Sequence, residues 1–373
     1  MKKNITGKES RKGRAKGAEG PLTIGLDLGD KTSRYCVLDG QGEVKQESRV
    51  ATSKKEMAET FGALRRSRIA LEVGTHSPWV SRLLSSLGHE VIVANPRQLK
   101  LISTSSRKDD RVDAQPLARL ARVDVQLLRP VRHRSEQGQL HLAEIRARAA
   151  LIEARTSLVN TARGMAKAFG ERLPKCDADQ MGVEQLKSLP AAWQEVLGPL
   201  LEQVAALTEQ IYVYNERIEQ IARNEYPETA QLRQIKGVGS LIALTFVLTV
   251  EDAERFEHSR DVGCYVGLRP KRGDSGESQP QLRISKEGDR YLRKMLVQGA
   301  HYILGRRGPD TDLKRWGEKL GARGGKNAKK RAIVAVARKL AVLLHRLWVT
   351  GEVYEPLRNS NAGRAEKKNV AAA

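Results

Sequence analysis

Four acidic side chains in this chain have the types and contexts that hold a divalent metal. Asp27 ends the apolar run Leu22-Thr-Ile-Gly-Leu-Asp27, and Glu72 ends a second, Ile69-Ala-Leu-Glu72. Asp110 and Asp113 lie three apart in Lys108-Asp-Asp-Arg-Val-Asp-Ala114, so a helix beginning there carries both on one face. Lys and Arg number 66 against 44 Asp and Glu, a formal charge of +22. In so basic a chain a carboxylate cluster is poorly suited to attracting another anion. Hard oxygens from separate elements are what Mg²⁺ (or Mn²⁺) takes, and two such ions clamp an in-line phosphoryl displacement. Each acid also has a structural alternative. Asp27 suits a turn with Gly29-Asp30, and Asp110 and Asp113 suit the positive end of a helix. Glu72 is harder to explain that way, because a carboxylate closing an Ile-Ala-Leu strand needs a partner.

The charge excess and a pI near 10.0 are the footprint of a nucleic-acid binder, although a membrane surface also attracts cations. No apolar run is long enough to span a bilayer, and the basic residues of 1–20 are followed by no hydrophobic stretch, so neither an anchor nor a signal peptide is expected. Cys36, Cys176 and Cys264 are odd in number and far apart, which suits a reducing cytoplasm better than disulfides or a zinc site. Aromatic residues are only 4%, so phosphate and shape contacts should outweigh base stacking. A nucleic acid is thus the expected partner, in a cytoplasmic setting.

The elements that must position the acids follow from periodicity. Residues 1–21, with seven Lys/Arg among the first twenty, read as a disordered basic arm. Strands are predicted over 22–29, 33–38 and 44–50, with Asp39-Gly40-Gln41-Gly42 as the second turn. A helix follows over 53–66 behind Thr52 and Ser53, then a strand over 68–73 and a helix over 77–88 opened by Ser77-Pro78. A last strand, Glu90–Ala94, ends at Asn95-Pro96, and a helix starting near Asp110 runs through Leu117, Leu120 and Ala121. A three-strand meander followed by alternating helices and strands is the order of an RNase H-like domain. A doubly wound sheet would open βαβ.

Residues 131–228 read as a helical connector. Runs near 136–168 and 191–224 carry apolar residues at three- and four-residue steps, so a helical hairpin or coiled coil is expected, with an ordinary bundle as the alternative. Residues 229–356 form a mainly helical third region, and the tail 357–373 reads as disordered. Lys236-Gly237-Val-Gly239 before the apolar helix 240–250 suggests a helix-hairpin-helix, whose amides and helix N-terminus receive DNA phosphate. Beyond it, Lys271 and Arg272 lie in a turn-rich stretch and Arg290 and Arg293 at a helix start. Lys326, Lys329 and Lys330 precede a helix over 331–348 whose core positions include Val334, Val336, Leu340, Leu343, Leu344 and Leu347. These cations are assigned to nucleic-acid contact. The fold class is thus α/β plus all-α.

Taken in order, Gly25-Leu-Asp27-Leu-Gly, Leu71-Glu72-Val-Gly, Asn95-Pro96 and Lys108-Asp-Asp110-Arg-Val-Asp113-Ala resemble the DEDD transposases of the insertion-sequence one-ten family. The second half resembles that family's C-terminal domain in Ile235-x-Gly237-Val-Gly239, Gly267-Leu-Arg-Pro270, Ser275-Gly276, Gly288-Asp-Arg-Tyr-Leu-Arg293 and Ala335-Val-Ala-Arg-Lys-Leu-Ala341. The resemblance runs from about 22 to 355. It implies an RNA-guided recombinase of double-stranded DNA. A RuvC-like domain over 22–130 would hold metal through Asp27, Glu72, Asp110 and Asp113, and the C-terminal domain would supply Ser275 as nucleophile. A noncoding bridge RNA would pair with donor and target DNA, and protomers would assemble as a tetramer of two dimers with composite sites. The family's third acidic motif is Lys-Thr-Asp where this chain has Lys108-Asp109-Asp110, and spacing to Asp113 selects Asp110.

On local chemistry alone Ser275 is a loop residue among Gly and Asp, and Ser278 is equally nucleophilic. A RuvC-like endonuclease that hydrolyses the strand with metal-activated water is therefore the alternative. A non-catalytic nucleic-acid-binding protein with structural acids is a third.

Overall fold

The computed structural model describes residues 21–95, 114–278, 280 and 282–359. Residues 1–20 of the basic arm, the tail from 360, Pro96, Asp110 and Asp113 lie outside the described residues. The chain divides into two compact units, 1–134 and 135–373.

In the first unit β1 (Thr23–Asp27) pairs antiparallel with β2 (Thr32–Leu38), and β2 with β3 (Val44–Ala51). The β2–β3 turn forms where its sequence places it. The Asp39 carboxylate accepts the amides of Gln41 and Glu43 at 2.8 and 3.0 Å, and Gly42 takes a positive φ of 87°. After α1 (Lys54–Gly62), capped by the Ser53 hydroxyl, β4 (Arg68–Glu72) runs parallel to β1 on its other side. Then α2 (Ser77–Ser86) leads to β5 (Glu90–Ala94), parallel to β4. The sheet order β3-β2-β1-β4-β5, two antiparallel pairs followed by two parallel ones, is consistent with an RNase H-like domain.

Side-chain alternation divides the sheet between two helical layers. Ile24, Leu26, Ile69 and Leu71 pack with Met57 and Phe61 of α1 and Val80 and Leu84 of α2. The intervening residues face α3 (Ala114–Val123): Ala70 packs with Leu117 and Ala121, and Cys36 and Leu38 with Ala114 and Ala118. Gly25 is required here. A Cβ on it would run into the Ala114 carbonyl oxygen and the Ala118 amide, so only glycine lets α3 lie this close to β1.

The second unit opens with α4 (Glu136–Ala168) and α5 (Ala191–Asn224), matching both predicted helical runs. They are antiparallel: Val159, Ala162 and Ala166 pack on Leu197, Leu201 and Val204, whereas Leu142 and Ile145 pack on Ile218 and Ala222. Polar rungs keep the register, with Arg155 donating to Thr208 at 3.1 Å, Arg148 to Asn215 at 2.5 Å, and Arg217 bonding Glu144. At thirty-three residues α4 is about 50 Å long. The Leu142–Ile218 end docks on Leu244 and Leu248, so the helical pair shares a core with the C-terminal helices.

That remainder comprises α6 (Glu228–Leu232), α7 (Ser240–Val250), α8 (Val262–Tyr265), α9 (Arg290–Leu304), α10 (Asp312–Gly321) and α11 (Ala328–Thr350). Its core joins Phe246, Val250, Leu296, Ile303, Val336, Leu340 and Leu344. Of the positions expected to be core on the last helix, Val336, Leu340, Leu344 and Leu347 are buried, while Val334 and Leu343 are half-buried. Helix α10 lies where no helix was expected.

Candidate functional site

The carboxylates at 27 and 72 are brought together by the sheet. Leu26 pairs with Leu71, so Asp27 and Glu72 occupy the next step at the C-terminal ends of two adjacent parallel strands. Each lies two residues after a position that faces α3, Gly25 and Ala70 respectively, so alternation puts both side chains on the α3 face. Both are half-buried.

The loops leaving the strands are held firmly. After Asp27, Gly29 packs so tightly that a Cβ would meet the Thr32 carbonyl, and its own carbonyl accepts the Thr52 hydroxyl at 2.9 Å. After Glu72, the Ser77 hydroxyl accepts the Gly74 amide at 2.9 Å and donates to the Gly74 carbonyl at 2.8 Å. His76 Nε2 approaches Asp30 Oδ1 at 3.4 Å between these loops, while Trp79 donates to His76 Nδ1 at 3.1 Å. Sequence reasoning passed over this His76–Asp30 tie, because its members sit in loops 46 residues apart.

Asp110 and Asp113 lie outside the described residues, but the residue after Asp113 does not. Ala114 begins α3, and its carbonyl oxygen lies against Gly25, two residues before Asp27 on β1. Among the described residues no three His, Cys, Asp or Glu side chains are gathered as a metal site. The two described carboxylates nevertheless fit a hard divalent ion, being half-buried oxygen donors on one face of adjacent strand ends.

Ser275 is at the tip of a hairpin between α8 and α9. Its arms are joined by the bridge Pro270–Ile284 and by Lys271 donating to Arg283 at 2.9 Å. At the tip, Ser275 and Ser278 exchange backbone hydrogen bonds of 3.1 and 3.0 Å across Gly276-Glu277. Gly276 takes φ 55°, as the first central position of such a tight turn demands. Both serines are exposed, as are Lys271 and Arg272. The hairpin's base is fixed by glycine contacts: a Cβ on Gly267 would strike the Glu287 backbone, and one on Gly288 the Tyr265 carbonyl.

The expected cation contacts are placed in different ways. Arg290 is exposed on the first turn of α9. Arg293 is turned inward: its Nη1 donates to the carbonyls of Glu287 at 2.8 Å and Val266 at 2.9 Å, so it ties the hairpin base to α9. Lys326, Lys329 and Lys330 are exposed around the start of α11. Lys236 and Gly239 are exposed at the entry to α7, but Gly237 (φ 101°) has a packing reason, since a Cβ there would meet Tyr302 at 2.8 Å. An acid already stands at the start of α7. A hydrogen bond from the Ser240 hydroxyl, aided by Arg233 and Arg223, holds the Glu219 carboxyl below its usual range.

Residues 24–169 match a DEDD transposase model of the IS110 type, described as transposase, and residues 229–314 match the model described as transposase IS116/IS110/IS902 family. The chain is similar to the transposase for insertion sequence element IS1111A of Coxiella burnetii (strain RSA 493 / Nine Mile phase I), 30% identical over 345 residues covering 89% of this chain and 90% of that one. It is also similar to the transposase for insertion sequence element IS1328 of Yersinia enterocolitica, 28% identical over 76% of this chain and 84% of that one. With its carboxylate-bearing sheet in the first of these matched regions and its serine hairpin in the second, the chain belongs to the IS116/IS110/IS902 family of insertion-sequence transposases, enzymes that cut and join DNA.

Proposed function

We propose that this transposase is an RNA-guided, site-specific recombinase that cuts and rejoins DNA through a phosphoserine intermediate. The observation that carries the reading is the pairing of Asp27 with Glu72 at neighbouring strand ends in a chain that also presents Ser275 on an exposed turn. Asp27, Glu72, Asp110 and Asp113 would hold Mg²⁺ or Mn²⁺. When bound, the metal neutralises charge that builds on the phosphate during displacement.

Ser275 is the nucleophile. Its Oγ forms a bond to the scissile phosphorus as one P–O bond of the strand breaks. The hydroxyl proton is lost and the leaving oxygen takes one up. A strand-end hydroxyl attacking the same phosphorus then reverses the step and restores a diester without a high-energy cofactor. Lys271 and Arg272 on the hairpin, and Arg290 beside it, neutralise flanking phosphates. Lys326, Lys329 and Lys330 do so at the start of α11, and Lys236 with the Gly237–Gly239 turn does so at α7. A noncoding bridge RNA supplies the sequence choice, and the working assembly is a tetramer at the nucleoid.

The test of guidance is direct. The purified protein should carry RNA of a discrete length, and removing that RNA should abolish recombination. Full recombination after complete RNase digestion would remove the RNA-guided part.

A further inference from the structure

The hairpin that carries Ser275 does more than present a hydroxyl. Its arms form one wall of a groove of about 1160 Å³, and α10 and α11 form the other. The floor is apolar, with Leu268, Leu282 and Ile284 of the hairpin opposite Val334 and Val342 of α11, and Trp316 of α10 beside them. On α11, Val334, Ala335 and Val342 are only half-buried, Val334 at the edge of the C-terminal core.

The lining also carries seven cations, among them Arg283, Arg323, Arg331, Arg338 and Lys339, and none of its described residues is acidic. Lys339 holds its ammonium 4.0 Å from the centre of the Trp316 ring. Among the described residues of that lining, Asn327 is the one amide or hydroxyl side chain.

We infer that this groove binds a single strand of DNA, the one whose phosphate Ser275 attacks. A duplex offers a protein surface chiefly phosphates and sugars, which would satisfy the cations and leave the apolar floor uncovered. An unpaired strand supplies both parts, its phosphates to the cations and its base faces to Trp316 and the aliphatic floor. The floor offers little to contact a 2′-hydroxyl, so the groove itself does not separate DNA from RNA. The groove is lined by both arms at the base of the hairpin that carries the reactive turn. Pro270 and Ile284 form the bridge between the arms and line the groove, and further along a Cβ on Gly273 would touch Leu282 at 2.9 Å. A strand lying in it runs beside the hairpin whose tip carries Ser275. The assignment of DNA rests on the proposed role of Ser275.

The experiment uses the full chain and labelled mixed-base oligonucleotides of about 12 nucleotides, a length within the range such grooves cover. Anisotropy titrations compare single-stranded DNA, RNA of the same sequence, and duplex DNA. Lys339→Glu and Val334→Asp should each weaken single-stranded DNA by about tenfold, in line with the loss of one stacked base or its phosphate, while duplex affinity moves less than about twofold. Equal loss for duplex and single strand would overturn the inference, and so would loss confined to RNA. Unchanged affinity for all three in both variants would overturn it too, and would make the groove a site for something else, such as an acidic peptide.

Photocrosslinking from iodouracil-substituted DNA to wild-type protein needs no variant and should map to the peptide containing Trp316. Ser275→Ala should crosslink equally. A covalent serine adduct without any groove crosslink sinks this inference and leaves the serine standing. A groove crosslink without an adduct sinks the serine and leaves a single-strand site.

Discussion

Asp27 and Glu72 stand side by side, each one residue beyond the paired Leu26 and Leu71 of two parallel strands. That neighbourhood is set by backbone register and does not depend on a flexible side chain reaching across. Neutral isosteres should therefore remove chemistry while preserving the fold. Asp27→Asn and Glu72→Gln should each lower strand cleavage by on the order of 10³, the scale of several kcal/mol of transition-state stabilisation. Nucleic-acid affinity should hold or rise slightly, because a negative charge is lost. Measured cleavage of a labelled duplex within a few-fold of wild type in both variants would remove the carboxylates from the site.

Gly25 should be far less tolerant than an open glycine. Gly25→Ala forces its methyl against the Ala114 carbonyl, so either β1 or the start of α3 must shift. The expected cost is about 1–3 kcal/mol in urea unfolding, with cleavage falling alongside. Gly164→Ala, inside α4 with nothing within 4 Å of the added carbon, should stabilise by about 0.5–1 kcal/mol. A neutral Gly25→Ala would show that α3 does not rest closely on β1.

Binding should be strongly salt-dependent. With a formal charge of +22 the chain has cations for many phosphates, and six to ten such contacts cost roughly 10³–10⁵ in affinity between 50 and 200 mM salt. A log–log slope near zero would contradict a phosphate-dominated interface.

The first unit should lose stability in mild acid through His133. Burial, followed by Arg82 and Arg134, pushes this imidazole below its ordinary range, and its Nε2 is buried with no hydrogen-bond partner among the described residues. A histidine with a depressed folded-state pKa binds its proton more readily when unfolded. Its contribution is thus complete above about pH 6.5 and declines as pH falls below that value. The melting temperature of wild type should drop more than that of His133→Gln between pH 7 and 5.5. Parallel curves would show that His133 is not the group responsible.

Much of the fold was legible because local signals and burial agree. The apolar runs ending at Asp27 and Glu72 became β1 and β4, and the helical spacing over 136–168 and 191–224 became α4 and α5. Helix α10 was missed because Gly308-Pro309 and a short polar segment masked it. Its capping signal was present, since the Thr311 hydroxyl accepts the Lys314 amide at 3.0 Å. The shared face of Asp27 and Glu72 follows from strand alternation once the register is known. The groove at the base of the Ser275 hairpin was not legible. Trp316 and Lys339 come from different helices, and only tertiary packing brings them together. Arg293 had looked like a phosphate ligand from its position, yet it binds the hairpin's carbonyls.

The central claim is that the Ser275 hydroxyl attacks the phosphodiester. The decisive measurement is a denaturing gel of end-labelled DNA incubated with wild type, Ser275→Ala and Ser278→Ala in Mg²⁺ and guide RNA. The account predicts a protease-sensitive protein–DNA adduct for wild type and Ser278→Ala, and none for Ser275→Ala, which still binds both nucleic acids. An adduct that persists in Ser275→Ala and vanishes in Ser278→Ala would move the role three residues along. Cleavage at the wild-type rate in all three proteins, with free 5′-phosphate ends and no adduct, would contradict the claim and make the enzyme a hydrolytic nuclease.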